Sequence, residues 1–219
     1  MLDASEIVVF LGPSLTREKA EQIVSADFRP PAKRGDIQQA TREGARIICL
    51  IDGVFFQECS VAHKEVIYAL EAGARVLGAS SMGALRASEL DVYGMEGVGM
   101  IYEAYKNGRL VSDDEVALTF DPFSFEPSSE PLVNIRNNLD LAWQMDVISA
   151  STKDRLFHCA LARYFPERTY EKMFSDASGK VSEKELQCLR KYLAEEKRDF
   201  KMEDATLALK RVRKLAEED

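Results

Sequence analysis

The chain has 219 residues, of which 46% are hydrophobic, and its formal net charge is −8. This length and apolar content suffice to bury a substantial core, so the composition predicts a globular protein. A strongly acidic chain forgoes the counterion release that dominates nucleic-acid complexes, so we expect no nucleic-acid partner.

Membrane, metal and disulfide classes are also disfavoured. No apolar run approaches the roughly 18–20 residues that span a bilayer, and the first residues lack the positive charge of a signal peptide. We therefore expect no membrane partner and a cytoplasmic location. The cysteines contain no C-x-x-C pair, which argues against a zinc site or a disulfide framework, and we expect neither a metal nor a cofactor. They are Cys49, Cys59, Cys159 and Cys188.

Three short apolar runs predict strands at 6–11, 46–51 and 74–77. A helix at 60–72 joins the second strand to the third. A right-handed strand-helix-strand unit makes these strands parallel neighbours, so the helix begins at the edge where both strands end. The sequence therefore predicts a small parallel sheet in a three-layer α/β core.

The third strand leads into the sequence GASSMG at 78–83. This segment is one residue away from the G-x-S-x-G nucleophile elbow, and its small residues permit a tight turn that lifts a side chain to the carboxyl edge of the sheet. Ser81 is in register with the elbow and is the candidate nucleophile, with Ser80 as the alternative. The competing interpretation is an ordinary helix start, where serine is a common N-cap.

A serine hydroxyl needs a neighbouring base, and Lys64 lies about one turn into the helix that begins at the same sheet edge. Its long side chain can reach toward Ser81 across the crevice where open α/β sheets bind ligands. A lysine accepts a proton only when it is neutral, which requires burial against apolar residues such as Phe55, Phe56 and Val61. Lys64 is therefore the candidate general base.

His63 is the rival base, because an imidazole titrates near neutral pH without burial. Asp52, at the end of the preceding strand, would orient it as in a Ser-His-Asp triad. Adjacent helical residues point about 100° apart, so His63 and Lys64 do not both face the serine. The residues alone leave both bases open.

An acyl-transfer site also needs N–H donors for an oxyanion. The amide of Met82, at the start of the next helix, is one candidate. The loop that follows the first strand opens toward the same edge, which makes Gly12 and Ser14 candidates to bind the oxyanion or the substrate. This loop lacks the spacing of the known phosphate-binding fingerprints, so nucleotide binding is disfavoured.

The chain changes character at 121–131, where three prolines and three serines interrupt regular structure. We expect residues 1–120 to form the α/β core, 121–131 a linker loop and 132–219 a helical region. Apolar spacing predicts helices at 132–148, 152–164, 166–174, 182–196 and 202–217. The aromatic residues expected in the helical core are Trp143, Phe157, Phe165, Tyr170 and Phe174.

A series of short motifs occurs along the first half of the chain. They are VFLGPS at 9–14, PPA at 30–32, GDI at 35–37, IDG at 51–53, SVAHKE at 60–65, GASSMGALRA at 78–87, GMEGVG at 94–99 and DDEVA at 113–117. In this order they closely resemble the TfuA-like family over roughly residues 6–120. The acidic cluster at 113–115 also resembles a helix start, and it suggests a surface that positions the site or a partner.

The resemblance implies a partner of YcaO enzymes in thioamidation of peptide backbones, in which an amide oxygen is exchanged for sulfur. It further implies that the protein hydrolyses a thiocarboxylated ThiS-like carrier protein with a Ser-Lys pair, releases sulfide and helps YcaO to engage its peptide. Matched residue by residue, the pair is Ser81, or Ser80, with Lys64.

Other functions stay open on this evidence. A non-catalytic adaptor would use the same motifs as a docking surface that raises the affinity of YcaO for its peptide. An esterase or peptidase would share the serine but act on small acyl substrates. Cys59, near the same sheet edge, is a less favoured candidate for persulfide chemistry, since a helix N-terminus activates a thiol.

Overall fold

A computed structural model describes residues 2–55 and 59–218 of the chain. The chain divides into two compact units: residues Met1–Asp113 together with Lys201–Asp219, and residues Asp114–Phe200. The segment from Lys201 onward thus groups with the sheet, whereas the sequence analysis assigned it to the helical region. Within the described ranges, no helix is long and apolar enough to cross a membrane.

The first unit contains a five-stranded parallel sheet in its described residues, which confirms the predicted fold class. Its strands are β1 (Ile7–Phe10), β2 (Asp27–Arg29), β3 (Ile47–Leu50), β4 (Arg75–Ala79) and β5 (Glu96–Val98). Their spatial order is β2-β1-β3-β4-β5. The direction of winding changes between β1 and β3, and the carboxyl ends of these strands flank the crevice where open α/β sheets bind ligands.

Helices alternate with the strands and then dominate the rest of the chain. The first unit contains α1 (Arg17–Glu21), α2 (Asp36–Arg42), α3 (His63–Glu71), α4 (Met82–Leu90) and α5 (Met100–Lys106). The second contains α6 (Leu132–Gln144), α7 (Ala150–Leu161), α8 (Tyr170–Ala177) and α9 (Glu183–Glu196). The last helix is α10 (Phe200–Glu218).

Alternate side chains of each strand pack on opposite faces of the sheet, as the two-residue period of a strand requires. On β1, Ile7 and Val9 join one apolar cluster, and Val8 and Phe10 join the other. The first cluster includes residues of α1 and α10, and the second includes residues of α2, α3 and α4. This arrangement confirms the three-layer core. The apolar stripe that α10 contributes consists of Ala205, Ala208, Leu209, Val212, Leu215 and Ala216.

The second unit is helical, as predicted, and its core draws on α6, α7, α8 and α9. Tyr170 and Phe174 are buried in that core. Trp143 was expected there and is instead 42% exposed, with the Lys153 ammonium 4.6 Å from the centroid of its ring. That cation–π contact keeps the indole at the surface.

The acidic cluster at 113–115, which resembled a helix start, forms a short 3-10 helix, and no α-helix follows it before α6 in the described residues. In the second unit, the Asp114 carboxylate accepts a hydrogen bond from Arg168 Nη2 at 2.6 Å, and Glu115 pairs with Arg136. Both carboxylates therefore have arginine partners within the helical unit.

Candidate functional site

The turn between β4 and α4 is strained at Ser80. This residue has a φ of +64°, in the left-handed region that non-glycine residues rarely adopt. The Ser81 N–H donates to the Ala79 carbonyl at 2.7 Å, which closes a γ-turn around Ser80. Helix α4 begins at the next residue, Met82. A residue in this conformation persists only where the surrounding structure holds it in place. Such residues cluster at functional sites, where the strained geometry serves the mechanism.

Two glycines allow the turn to pack directly on the strand ends. A Cβ on Gly83 would lie 1.7 Å from the Leu50 carbonyl oxygen, and a Cβ on Gly78 would lie 2.2 Å from the Gly83 carbonyl oxygen. The Gly83 N–H donates to the Ile51 carbonyl at 3.2 Å. The turn is therefore fixed against β3 and β4 by backbone contacts that any side chain at these glycines would block.

Ser81 lies next to a buried lysine from the end of the chain. Lys201 Nζ donates to Ser81 Oγ at 3.0 Å, and each residue is 2% exposed. Lys201 lies in the first turn of α10, 120 residues after Ser81. The structure thus contains a Ser-Lys pair at the carboxyl edge of β4.

The lysine expected from the sequence is elsewhere. Lys64 is exposed on α3, where the adjacent Glu65 and Val66 are the buried residues of that turn. Among the described residues no hydrogen bond joins Lys64 to Ser81, so the lysine at Ser81 is Lys201 and not Lys64. Phe56, expected to help bury Lys64, lies outside the described residues.

His63 does not face the serines either. It is exposed, and its Nε2 lies 2.9 Å from Glu89 Oε2. Asp52, expected to orient His63, uses both carboxylate oxygens on the loop after β1. The triad geometry expected for these two residues is therefore absent from the described part of the chain.

Asp52 is 2% exposed and holds the loop that follows β1. Its Oδ2 accepts the N–H groups of Gly12 at 2.9 Å and Ser14 at 3.0 Å, and its Oδ1 accepts Ser14 Oγ at 2.7 Å. Since the N–H groups of Gly12 and Ser14 already donate to a carboxylate, they do not serve as oxyanion donors in this arrangement. Ser80 Oγ extends the network by donating to Ser14 Oγ at 2.9 Å.

Met82 remains the candidate oxyanion donor. It is the first residue of α4, where backbone N–H groups have no acceptor within the helix. Within the described ranges, the Met82 N–H has no hydrogen-bond acceptor. It follows Ser81 directly, as the oxyanion donor follows the nucleophile in a nucleophile elbow.

Asp204 anchors the start of α10 one turn after Lys201. Its carboxylate accepts the N–H groups of Met100 at 3.0 Å and Ile101 at 2.8 Å, at the start of α5. Gly99 precedes them with a φ of +96°, and a Cβ there would lie 2.2 Å from the Asp204 carboxyl carbon. Burial raises the pKa of Asp204 from 3.8 to about 6. This contact fixes the helix that carries Lys201.

The cysteines provide no comparable arrangement. Cys49 is buried in β3, and burial raises the pKa of its thiol to about 12. Cys59 is exposed, ahead of α3. In the described residues, no group of His, Cys, Asp or Glu side chains is arranged to hold a metal ion.

Sequence reasoning missed Lys201 and Asp204, although their positions carry a signal. Both residues fall in the i, i+3, i+4 series that continues through Ala205 and Ala208, so two charged residues occupy the apolar stripe of α10. Charged residues at such positions are rarely buried without a partner or a role.

The TfuA-like protein family model matches residues 52–169, which is more than half of the chain. The match starts later than the motifs identified above and extends further into the helical region. It includes Asp52, Ser80 and Ser81, and it excludes Ser14 and Lys201. No curated protein matches the chain. On the family match, the chain belongs to the TfuA-like family.

Proposed function

We propose that this protein hydrolyses a thiocarboxylated ThiS-like carrier protein and releases sulfide, with Ser81 as the nucleophile and Lys201 as the general base. Membership of the TfuA-like family implies a role with YcaO in thioamidation. The sulfide would serve YcaO-dependent modification of a peptide, and the peptide would reach this protein through YcaO. Lys201 replaces Lys64 in the pair expected from the sequence.

The contact between Lys201 Nζ and Ser81 Oγ is the observation that carries this proposal. A serine hydroxyl becomes a nucleophile when a neighbouring base removes its proton, and a lysine does this in its neutral form. Burial disfavours the charged form of an amine, and Lys201 is 2% exposed. The strained turn presents Ser81 to that amine at the edge of the sheet where α/β enzymes bind ligands.

The proposed reaction has two steps, each of which balances. Ser81 Oγ attacks the carbonyl carbon of the thiocarboxylate while Lys201 takes the hydroxyl proton. The C–S bond then breaks, the sulfur leaves as hydrosulfide with the proton from Lys201, and the carrier remains as an ester on Ser81. Water gives one proton to Lys201 and attacks that ester; the ester C–O bond breaks, Ser81 Oγ takes the proton back from Lys201, and the new carboxylic acid of the carrier loses its proton to solvent.

The oxyanion of each tetrahedral intermediate needs a donor. The Met82 N–H adjoins Ser81 and has no acceptor in the described ranges, so we assign it that role. Loss of a single oxyanion donor typically lowers the rate by roughly 10²- to 10³-fold. Because the leaving group is an anionic sulfur, stabilising the oxyanion matters more than protonating a poor leaving group.

The test is the initial rate of sulfide release from a thiocarboxylated ThiS-like carrier. Ser81→Ala and Lys201→Met are expected to lose roughly 10²- to 10⁴-fold, as removal of a nucleophile or general base does. Two matched controls are expected to retain the rate: Lys210→Met, an exposed lysine on the same helix as Lys201, and Ser88→Ala, a serine of α4. Circular dichroism establishes that each variant is folded.

A second measurement separates catalysis from adaptor function. The affinity of YcaO for its peptide is measured in the presence of each variant. Loss of sulfide release with retained enhancement of YcaO binding supports the proposal. Equal sulfide release from every folded variant rejects it, and the non-catalytic adaptor then becomes the better account of the same motifs.

A further inference from the structure

The strained residue is not the proposed nucleophile. In the turn after β4, the positive φ belongs to Ser80, whereas the hydroxyl beside Lys201 belongs to Ser81. Ser80 is completely buried, and the proposed reaction does not use its hydroxyl. A buried residue in the left-handed region persists only where its surroundings hold it.

A buried chain of hydrogen bonds supplies that support. Ser80 Oγ donates to Ser14 Oγ at 2.9 Å, and Ser14 Oγ donates to Asp52 Oδ1 at 2.7 Å. Ser14 and Asp52 are each 2% exposed. The three residues follow β4, β1 and β3 respectively, so the chain ties the carboxyl ends of three adjacent strands together.

The backbone of Ser14 is fixed independently of its hydroxyl. The N–H groups of Gly12 and Ser14 both donate to Asp52 Oδ2, which holds the loop after β1 against the end of β3. The Ser14 hydroxyl is therefore presented from a rigid support. An acceptor that is itself held in place and donates onward to a carboxylate makes the Ser80 hydrogen bond stronger than an isolated one between hydroxyls.

We propose that Ser14 and Ser80 are positioning residues, which hold the γ-turn in its strained form so that the hydroxyl of Ser81 faces Lys201. This inference rests on the proposed function, because it concerns the same nucleophile. Ser80 adjoins Ser81 in the chain, and its φ sets the direction in which Ser81 leaves the strand. A displacement of about 1 Å at a reacting group lowers a rate by roughly 10²-fold.

The competing arrangement makes Ser80 the nucleophile. Its proton would pass to Ser14 Oγ while the Ser14 proton passes to Asp52, which would act as the base. That arrangement and the positioning role make opposite predictions for a glycine at residue 80, because glycine lacks the hydroxyl but adopts a positive φ without strain.

The decisive pair is Ser80→Gly and Ser80→Ala. Both remove the hydroxyl, but only alanine retains the unfavourable φ without the hydrogen bond that holds it. If Ser80 positions the turn, kcat for sulfide release falls roughly 10- to 100-fold in Ser80→Ala and several-fold less in Ser80→Gly, with KM little changed. If Ser80 is the nucleophile, both variants fall to the rate without enzyme, whereas Ser81→Ala keeps measurable sulfide release.

A double-mutant cycle tests the role of Ser14. Ser14→Ala removes the acceptor of the Ser80 hydroxyl and is expected to lower kcat roughly tenfold in the wild-type background. In the Ser80→Gly background the same substitution is expected to have little effect, because no hydroxyl at residue 80 needs that acceptor. A purely structural effect of Ser14 would lower kcat by the same factor in both backgrounds.

A readout that does not require the carrier accompanies both tests. The rate at which a serine-directed fluorophosphonate labels the protein is measured by intact mass, with Ser81→Ala as the blank. Labelling is expected to follow kcat across the Ser14 and Ser80 variants. Glycine adopts a positive φ without strain, so Ser80→Gly is expected to fold. The comparison of Ser80→Gly with Ser80→Ala therefore tests the proposal even if Ser14→Ala does not fold.

The outcomes separate failure of this inference from failure of the proposed function. Retained sulfide release in Ser81→Ala overturns both. Loss of release in Ser81→Ala, together with equal rates in Ser80→Ala and Ser80→Gly, overturns the positioning role alone. A Ser14→Ala effect of equal size in both backgrounds removes Ser14 from the proposal.

Discussion

Each unit of the molecule buries a cation, and the two cations differ in what they contact. In the helical unit, Arg168 is 1% exposed and its guanidinium donates to the carbonyls of Ala160, Asp114 and Arg163 and to the Asp114 carboxylate. In the sheet unit, Lys201 is 2% exposed and donates to the hydroxyl of Ser81. Arginine stays charged in proteins, whereas a buried lysine can shed its proton.

The difference separates a structural group from a chemical one. Arg168 uses its planar fork to satisfy several acceptors at once, which is the usual way in which a buried charge is tolerated. Lys201 adjoins the Ser81 hydroxyl, which becomes nucleophilic only when it loses a proton, and Ser81 follows a strained turn. Burial alone therefore does not distinguish the two cations, and the proposed role of Lys201 depends on its contact with Ser81.

The largest expected effect is on activity, at Lys201. Lys201→Ala is expected to lower kcat for sulfide release by roughly 10²- to 10⁴-fold, because the proposed base is lost. Truncation also leaves a space beside Ser81, so small primary amines such as ethylamine are expected to restore part of the rate. The measurement is the rate of sulfide release against amine concentration and pH.

The matched control is Lys201→Met. Its side chain fills the space beside Ser81, so no cavity remains in which the amine can bind. Rescue of Lys201→Ala but not of Lys201→Met supports a base at this position. Equal rescue of both variants would mean that the amine acts from bulk solution and not from the space left by the lysine side chain. An unchanged rate in Lys201→Ala would remove Lys201 from the mechanism.

The next effect is on stability, at Arg168. Arg168→Met is expected to lower the free energy of unfolding by about 3 kcal/mol, because the Arg163 carbonyl, the Ala160 carbonyl and the Asp114 carboxylate each lose a hydrogen bond from the guanidinium. Sulfide release per folded molecule is expected to stay at the wild-type level. Urea titration followed by circular dichroism gives the stability. If Arg168→Met lost activity but not stability, Arg168 would have a role in the reaction and not a structural role.

Asp204 makes the stability of the sheet unit depend on pH. Burial raises the pKa of Asp204 from 3.8 to about 6, so the folded state binds this proton more tightly than the unfolded state does. The associated stability is complete below about pH 4 and is lost as the pH rises through about 6. The stability of the wild type relative to Asp204→Asn is therefore expected to fall by about 2–3 kcal/mol between pH 4 and pH 7.

The free energy of unfolding of Asp204→Asn is subtracted from that of the wild type at each pH. This difference cancels the titration of every other carboxylate that the substitution leaves unchanged. Parallel stability curves across this range would mean that Asp204 titrates alike in the folded and unfolded states. If the stability of the wild type relative to Asp204→Asn instead rose with pH, folding would stabilise the Asp204 carboxylate over its protonated form.

The three central strands, β1, β3 and β4, and the serine turn were predictable because their determinants are local, whereas the short edge strands β2 and β5 were not predicted. Continuous apolar runs, IVVF in β1 and IICL in β3, specify strands that are buried on both faces, and the small residues at Gly78 and Gly83 permit the close backbone contacts of the turn. The proposed base was not predictable in the same way. Its position depends on which face of α10 packs on the sheet, and 120 residues separate Lys201 from Ser81.

The prediction of Lys64 shows where local reasoning ends. It assumed a helix from residue 60, but α3 begins at His63, and Glu65 and Val66 face inward there. Placing a side chain at the right edge of the sheet does not determine its direction around the helix axis. The signal that could have identified Lys201 is its position, because it is a charged residue on the otherwise apolar stripe of α10.

The smallest expected effect is therefore at Lys64, and its value lies in the contrast with Lys201. Lys64→Ala removes an exposed side chain that has no bond to Ser81 in the described part of the chain, and such substitutions usually change stability by less than about 0.5 kcal/mol. Sulfide release is expected to stay within about twofold of wild type. If Lys64→Ala instead lost as much activity as Lys201→Ala while remaining folded, α3 would have to turn toward Ser81 in the complex with the carrier. The sequence-based choice of base would then hold for the bound state.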